Sequence, residues 1–143
     1  MRPDNPAYVL DSFALLAYLN GEEGQERVQE ILEQARHGNC LAMMCLVNFG
    51  EVLYITERRR GWTWAQRTQA LVESLPLVLL EVTRDLVLDA AHIKAQHAIS
   101  YADAFVVATA QREGAQVLTG DPEFEAVETL VQVEWLNSGR AGV

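Results

Sequence analysis

Short apolar runs alternate with longer stretches of helical periodicity along the whole chain, and this alternation most restricts what the chain can fold into. "AYVL" precedes "SFALLAYLNG", "CLAMM" precedes "LVNFGEVLYITERRRG", "LVLLEV" precedes "RDLVLDAAHIKAQHA", and "AQVLTG" precedes "DPEFEAV". Runs this short and apolar read as buried strands, and strands alternating with helices predict a parallel sheet covered on both faces, a three-layer α/β arrangement. "LVQVEWL" supplies a fifth strand. Right-handed crossovers, with the need to bring the ends of the first and fourth strands together, give a five-stranded, mostly parallel sheet of order 3-2-1-4-5. The 143 residues are expected to form one domain, with a core of about 8–136 and a loose tail "NSGRAGV".

The helices have readable ends. Ser12 is placed to cap the first. In "EEGQERVQEILEQARHG", Val28, Ile31, Leu32 and Ala35 share one face, and Gly38 closes the segment. The next helix ends at Gly61, Thr63 is placed to cap "WAQRTQALVESL", and Thr83 to cap the helix after the third strand. "SYADAFVVATAQREG" is apolar on nearly every face, which predicts a central position.

Charge and cysteine usage narrow the class. The formal net charge is -9, from 20 acidic against 11 basic residues, with Lys94 the one lysine. Such a field repels nucleic acid at long range, so a polyanionic partner requires bound cations and local arginines. Cys40 and Cys45 lack the spacing of a zinc or redox site and read as buried, reduced thiols. No apolar stretch reaches the ~18 to 20 residues that span a bilayer. The opening "MRPDNPAYVLDSF" carries Asp11 where a signal peptide would be apolar. The expectation is a cytoplasmic protein without a membrane partner.

In an open parallel sheet, ligands collect outside the carboxyl ends of the strands, where strand order reverses. Four carboxylates are placed to reach that rim. Asp11 and Asp121 follow the first and fourth strands, Glu51 lies early in the helix after the second, and Asp103 begins the apolar helix. Each also has a local structural reading. Ser100 and Asp103 fit a capping box, Asp121 before Pro122 fits an N-cap, Asp11 can accept backbone donors beside Ser12, and Glu51 can be an exposed helix residue.

Local capping does not explain why acids recur at one edge. Two carboxylates about 4 Å apart repel by about 4 kcal/mol at an effective dielectric of 20, against about 0.3 to 1 kcal/mol from each helix N-terminus. A divalent cation removes the repulsion, and all-oxygen ligation without His or Cys suits Mg²⁺ or Mn²⁺ rather than zinc.

"VLDSFALLAYL", "VNFGEVLY", "SYADAFVVATA" and "VLTGDPEF", in this order and at this spacing, resemble the PIN-domain nucleases, specifically the VapC-type toxins of bacterial toxin and antitoxin pairs. The likeness runs from about Tyr8 to Leu136. It implies a PIN-like fold in which Asp11, Glu51, Asp103 and Asp121 form the acidic metal-binding quartet of a Mg²⁺-dependent endoribonuclease, with Mn²⁺ as substitute. It also implies an RNA substrate, a homodimer, and a small antitoxin protein whose C-terminal segment covers the site. On that expectation, one or two cations activate a water and clamp the scissile phosphate.

Ser12, Asn48 and Thr119 are candidates to support the quartet, and each reads equally well as a capping or solvent-facing residue. Arg58, Arg59 and Arg60 form the one basic cluster. Arg58 projects from nearly the same face as Glu51, about 10 Å along the axis, within reach of a neighbouring phosphate. The simpler reading is cations at a helix C-terminus before Gly61. His92 and His97 do not share a helix face, and Trp62 and Trp64 read as packing residues or a partner surface.

Two other readings stand beside the nuclease. A phosphatase or receiver-type phosphoryl-transfer domain also places an Asp after its first strand, but the phosphatase needs a second Asp where Phe13 stands, and a late lysine where only Lys94 is available. A catalytically silent PIN-like scaffold would bind RNA or protein without cutting.

Overall fold

Side chains of the central strands alternate between two apolar layers, and this period of two builds the molecule. The computed structural model describes residues 5–137, so residues 138–143 of the expected loose tail lie outside the described residues. In β1 (Ala7–Leu10), Tyr8 and Leu10 enter one layer and Val9 the other. In β2 (Leu41–Cys45), Ala42 and Met44 face the first layer while Met43 and Cys45 face the second.

The first layer is closed by α1 (Ser12–Asn20), α2 (Gln25–Arg36), α3 (Leu46–Arg60) and α4 (Trp62–Ser74). The second is closed by α5 (Arg84–Gln96), α6 (Tyr101–Glu113) and a short 3-10 turn (Pro122–Val127). Val28, Ile31 and Leu32 form the buried face of α2, as their spacing predicts, with Ala35 half-buried. Eight consecutive residues of α6, Asp103 to Ala110, are buried, which agrees with its apolar surface on every side.

The strand order is β3-β2-β1-β4-β5, with β3 (Val78–Leu80), β4 (Gln116–Thr119) and β5 (Val133–Trp135). Every pairing is parallel, so "mostly parallel" becomes wholly parallel. β1 lies at the centre, with Val9 opposite Met43 on one side and Val117 on the other. The ends of β1 and β4 therefore meet at one rim.

Three local expectations change. The N-cap of α1 is Asp11 rather than Ser12, because the Asp11 carboxylate reaches the Ala14 N–H at 2.8 Å. α4 starts at Trp62 rather than after Thr63: Gly61, at φ +94°, ends α3 and begins α4 within one residue, so Thr63 falls inside the first turn. The third strand is shorter than its apolar run, occupying Val78–Leu80. Thr83 caps α5 as read, accepting from the Leu86 N–H at 3.1 Å. Cys40 and Cys45 are free and buried. Among the described residues no helix is long and apolar enough to cross a membrane.

The edge of the sheet is held by a contact that sequence patterning does not reveal. Arg27 of α2 grips Glu134 of β5 with two N–H groups, at 2.6 and 3.0 Å, and also donates to the Tyr8 hydroxyl of β1 at 3.3 Å. A bidentate, charge-assisted pair is stronger than a single exposed ion pair. Arg27→Ala is therefore expected to lower stability by about 1 to 2 kcal/mol. Arg27→Lys should recover less than half of the loss in a urea titration, because a lysine offers no planar fork.

Candidate active site

The site is built where β1 and β4 end. Asp11 is buried, 1% exposed, and both its oxygens are engaged: Oδ1 accepts from the Ala14 N–H, and Oδ2 accepts from the Thr119 hydroxyl. The Thr119 oxygen in turn accepts the Asp121 N–H at 2.9 Å, and Asp121 Oδ1 accepts the Glu123 N–H at 2.9 Å. One hydroxyl thus links the acid after β1 to the backbone of the acid after β4. Thr119 supports the acids as the sequence reading allowed.

Between Thr119 and Asp121 the chain needs glycine for space. A Cβ on Gly120 would collide with the Phe13 ring and lie 2.6 Å from Asn137 Oδ1. The absence of a side chain lets the loop lie directly against α1 and brings Asp121 toward Asp11.

The expected capping box at α6 is half made. The Ser100 hydroxyl accepts the Asp103 N–H at 3.1 Å, but the return bond to the Ser100 N–H comes from the Glu123 carboxylate instead of Asp103. Asp103 is left 5% exposed and turned toward the other acids. Asp103, Asp121 and Glu123 each bring a carboxylate oxygen within 4.8 Å of the other two. Glu123 is the residue that sequence reasoning missed. Its signal was the spacing in "DPEF", where a 3-10 turn pinned by the fully buried Phe124 folds the third residue back beside the first.

Glu51 and Asn48 approach from α3. Asn48 is fully buried and donates to the Ala102 carbonyl at 3.0 Å, tying α3 to the first turn of α6 next to Asp103. Asn48 Oδ1 and Glu51 Oε1 are both buried without a hydrogen-bond partner among the described residues. Ser12 is half-buried in the first turn of α1, where the capping role has passed to Asp11.

Burial and crowding raise the affinity of Asp11 and Asp103 for protons. Burial lifts Asp11 to about 7, the bonds from Thr119 and Ala14 pull it down, and the charges of Asp121 and Glu51 push it up again. Asp103 is raised first by burial, then by Asp11, Glu123 and Asp121. Among the described residues, no ion pair with Arg, Lys or His involves Asp11, Glu51, Asp103, Asp121 or Glu123. An all-oxygen donor set with an unpartnered buried carboxylate oxygen fits a hard divalent cation.

The family model described as PIN domain matches residues 8–130. The chain belongs to the PIN-domain family. Its solved structural neighbours include VapBC2 from Rickettsia felis bound to a DNA fragment from its promoter, with a TM-score of 0.69 at 15% identity over 90% of this chain and 97% of that one. VapC20 from Mycobacterium tuberculosis, a sarcin-ricin loop cleaving toxin, has a TM-score of 0.68 at 22% identity over 84% of this chain and 94% of that one. DNA-bound VapBC from Salmonella typhimurium has a TM-score of 0.67 at 19% identity, over 92% and 99%. No curated protein sequence matches the chain.

The remaining candidates sit elsewhere on this PIN domain. Arg58, Arg59 and Arg60 are exposed in the last turn of α3, and Arg59 and Arg60 line a cleft of about 280 Å³ with Leu16 and Asn20 of α1. His92 is exposed and His97 follows the end of α5. Trp62 and Trp64 are exposed, so the packing reading does not hold for them.

The raised acids predict an unusual pH response. Without metal, the folded state binds more protons than the unfolded chain between the ordinary carboxylate range and about 7. This stabilisation is full below the unfolded pKa and is lost as pH rises through the folded one. The melting temperature in EDTA should therefore be higher at pH 5.5 than at pH 8, and Asp11→Asn should narrow the difference. Mg²⁺ at a hundredfold excess over its Kd should add about 2.7 kcal/mol. Its effect should be larger at pH 8, where protons no longer compete. If neither Mg²⁺ nor Mn²⁺ moves the wild-type melt at pH 8, the acids do not form a metal site.

Proposed function

We propose that this chain acts as a single-domain, divalent-metal-dependent endoribonuclease, the toxin of a toxin and antitoxin pair. The observation carrying this reading is the convergence of Asp11, Asp103, Asp121 and Glu123 with a carboxylate oxygen of Glu51 on one rim. Among the described residues, that oxygen has no hydrogen-bond partner and no ion pair to a basic residue involves these acids. Asp11, Glu51, Asp103 and Asp121 would hold Mg²⁺, with Glu123 beside them. A bound Mg²⁺ would supply a Lewis acid for the phosphoryl oxygens and lower the pKa of a coordinated water.

The chain's own groups supply orientation. Thr119 and the Ala14 N–H fix the Asp11 carboxylate, Ser100 and Glu123 hold the start of α6, and Asn48 ties that turn to α3. The same carboxylates repel an RNA phosphate unless a cation intervenes, which makes catalysis dependent on metal loading. The toxin role and the antitoxin partner are supported by the likeness to VapBC complexes, and a homodimeric, cytoplasmic state belongs to the same proposal.

A silent scaffold is the poorer reading. Binding alone has no use for crowded carboxylates, two of which, Asp11 and Asp103, burial pushes toward protonation, and neutral groups would avoid the repulsion. A phosphoryl-transfer domain fares worse, because Phe13, whose ring lies against Gly120, stands at the position two residues after Asp11 where the phosphatase needs its second Asp.

Purified protein incubated with total RNA should cut it only when Mg²⁺ or Mn²⁺ is present. Asp11→Asn and Glu51→Gln should each abolish cutting while the fold persists by circular dichroism. Thr119→Val, which removes both the donor to Asp11 and the acceptor of the Asp121 N–H, should reduce the rate about 10- to 100-fold. Metal-independent cutting, or full activity in Asp11→Asn, would discard the mechanism. A pull-down from the native host should return a small companion protein, and its absence would count against the antitoxin pairing.

A further inference from the structure

The turn between α3 and α4 carries charge of the opposite sign to the rest of the chain. Residues 57–73 contain four arginines and two glutamates, whereas the remaining sequence holds seven basic against 18 acidic residues. Among the described residues, none of Arg58, Arg59, Arg60 and Arg67 forms an ion pair. Three of them lie over aromatic rings instead. Arg58 sits 5.0 Å from the Tyr54 ring, while Arg60 and Arg67 lie 5.0 and 5.7 Å from the Trp64 ring.

A guanidinium stacked on a ring keeps its N–H edge free for bidentate bonds to phosphate, and the ring limits the freedom lost on binding. The rings are themselves available. Tyr54, Trp62 and Trp64 are 48%, 62% and 45% exposed. Glu51, Tyr54 and Arg58 follow the i, i+3, i+7 spacing of one helix stripe, so a track leads from the acid cluster to this turn over about 10 Å.

We propose that the outer face of the α3–α4 hairpin, centred on Trp62, Trp64 and Arg67, is a docking surface for single-stranded RNA flanking the cleavage site. The proposal rests on the nuclease reading above. The unpaired arginines select a polyanion, and the exposed rings offer stacking platforms that only unpaired bases can use. Arg60 and Arg67 hold phosphates, Trp64 orients both guanidinium groups, and Trp62 stacks on a base.

The test measures fluorescence anisotropy of a labelled 12-nucleotide single-stranded RNA, and of the same sequence as a duplex, with full-length protein carrying Asp11→Asn in Mg²⁺ so that the probe is not cut. Single strands should bind more tightly than the duplex. Arg67→Ala should weaken binding and lower the slope of log K against log salt by about 0.7, the single-strand value for one phosphate contact. Trp62→Ala should weaken binding about tenfold with the slope unchanged, as loss of one stacked base would. Trp62→Phe should restore most of it.

Both positions are exposed, and melting curves should show that the variants fold. If wild-type protein cuts the RNA but Arg67→Ala and Trp62→Ala leave affinity within twofold, the surface is not the RNA path, although the nuclease stands. An acidic peptide competing for these residues in place of RNA would likewise overturn the proposal. If wild-type protein neither binds nor cuts the RNA, both readings fall.

Discussion

The bond from the Thr119 hydroxyl to Asp11 is the contact on which the rim depends. Asp11 ends the central strand inside the protein, where an ionised carboxylate without donors is costly by several kcal/mol. The fold answers with two donors from different elements, the first turn of α1 and the last residue of β4. These also fix the register between β1 and β4, in which Leu10 faces Leu118. The Thr119 oxygen then takes the Asp121 N–H, so satisfying one buried acid places the next. Gly120 permits this because no side chain separates the loop from Phe13.

Once the acids are placed, their mutual repulsion is not removed by the protein itself. Asp11 and Asp121 occupy N-caps and Asp103 lies in a helix's first turn, where helix dipoles and backbone donors favour negative charge. That help is about 0.3 to 1 kcal/mol each, smaller than the repulsion of about 4 kcal/mol for one close pair. Raised proton affinity at Asp11 and Asp103 is the visible consequence. Protonation relieves that repulsion at low pH, and on the proposed reading a bound cation would relieve it at neutral pH and above.

The sheet was legible because its signals are local and repeated. Each strand is a short apolar run followed by a helix, and right-handed crossover leaves few orders open. The nearness of Asp11 and Asp121 was legible because strand ends mark the rim. What was hidden depends on contacts between distant segments. Ser12 and Asp11 are both good caps, and only the Thr119 hydroxyl 108 residues away shows why Asp11 turns inward. Ser100 and Asp103 form half a capping box because Glu123, brought over by a 3-10 turn, takes the other half. Arg27 and Glu134 meet across 107 residues, beyond any periodicity. Trp62 and Trp64 were read as packing residues or a partner surface, and the packing half of that reading fails because the chain turns at Gly61 and leaves both rings exposed.

An acidic protein that handles a polyanion must separate attraction from chemistry. The rim would attract a phosphate only through a bound cation, whereas the α3–α4 turn carries guanidinium groups with no carboxylate partners among the described residues. The two attractions respond differently to solution conditions. Monovalent salt screens exposed arginines with a Debye length of about 8 Å at physiological ionic strength, but barely affects a cation held by several buried oxygens. Divalent metal acts in the opposite sense, since it has little to bind at the arginine turn and everything to neutralise at the rim. On the proposed reading, strand capture and strand cutting would have separate electrostatic origins, joined by the single helix α3, which carries Glu51 near one end and Arg58 near the other.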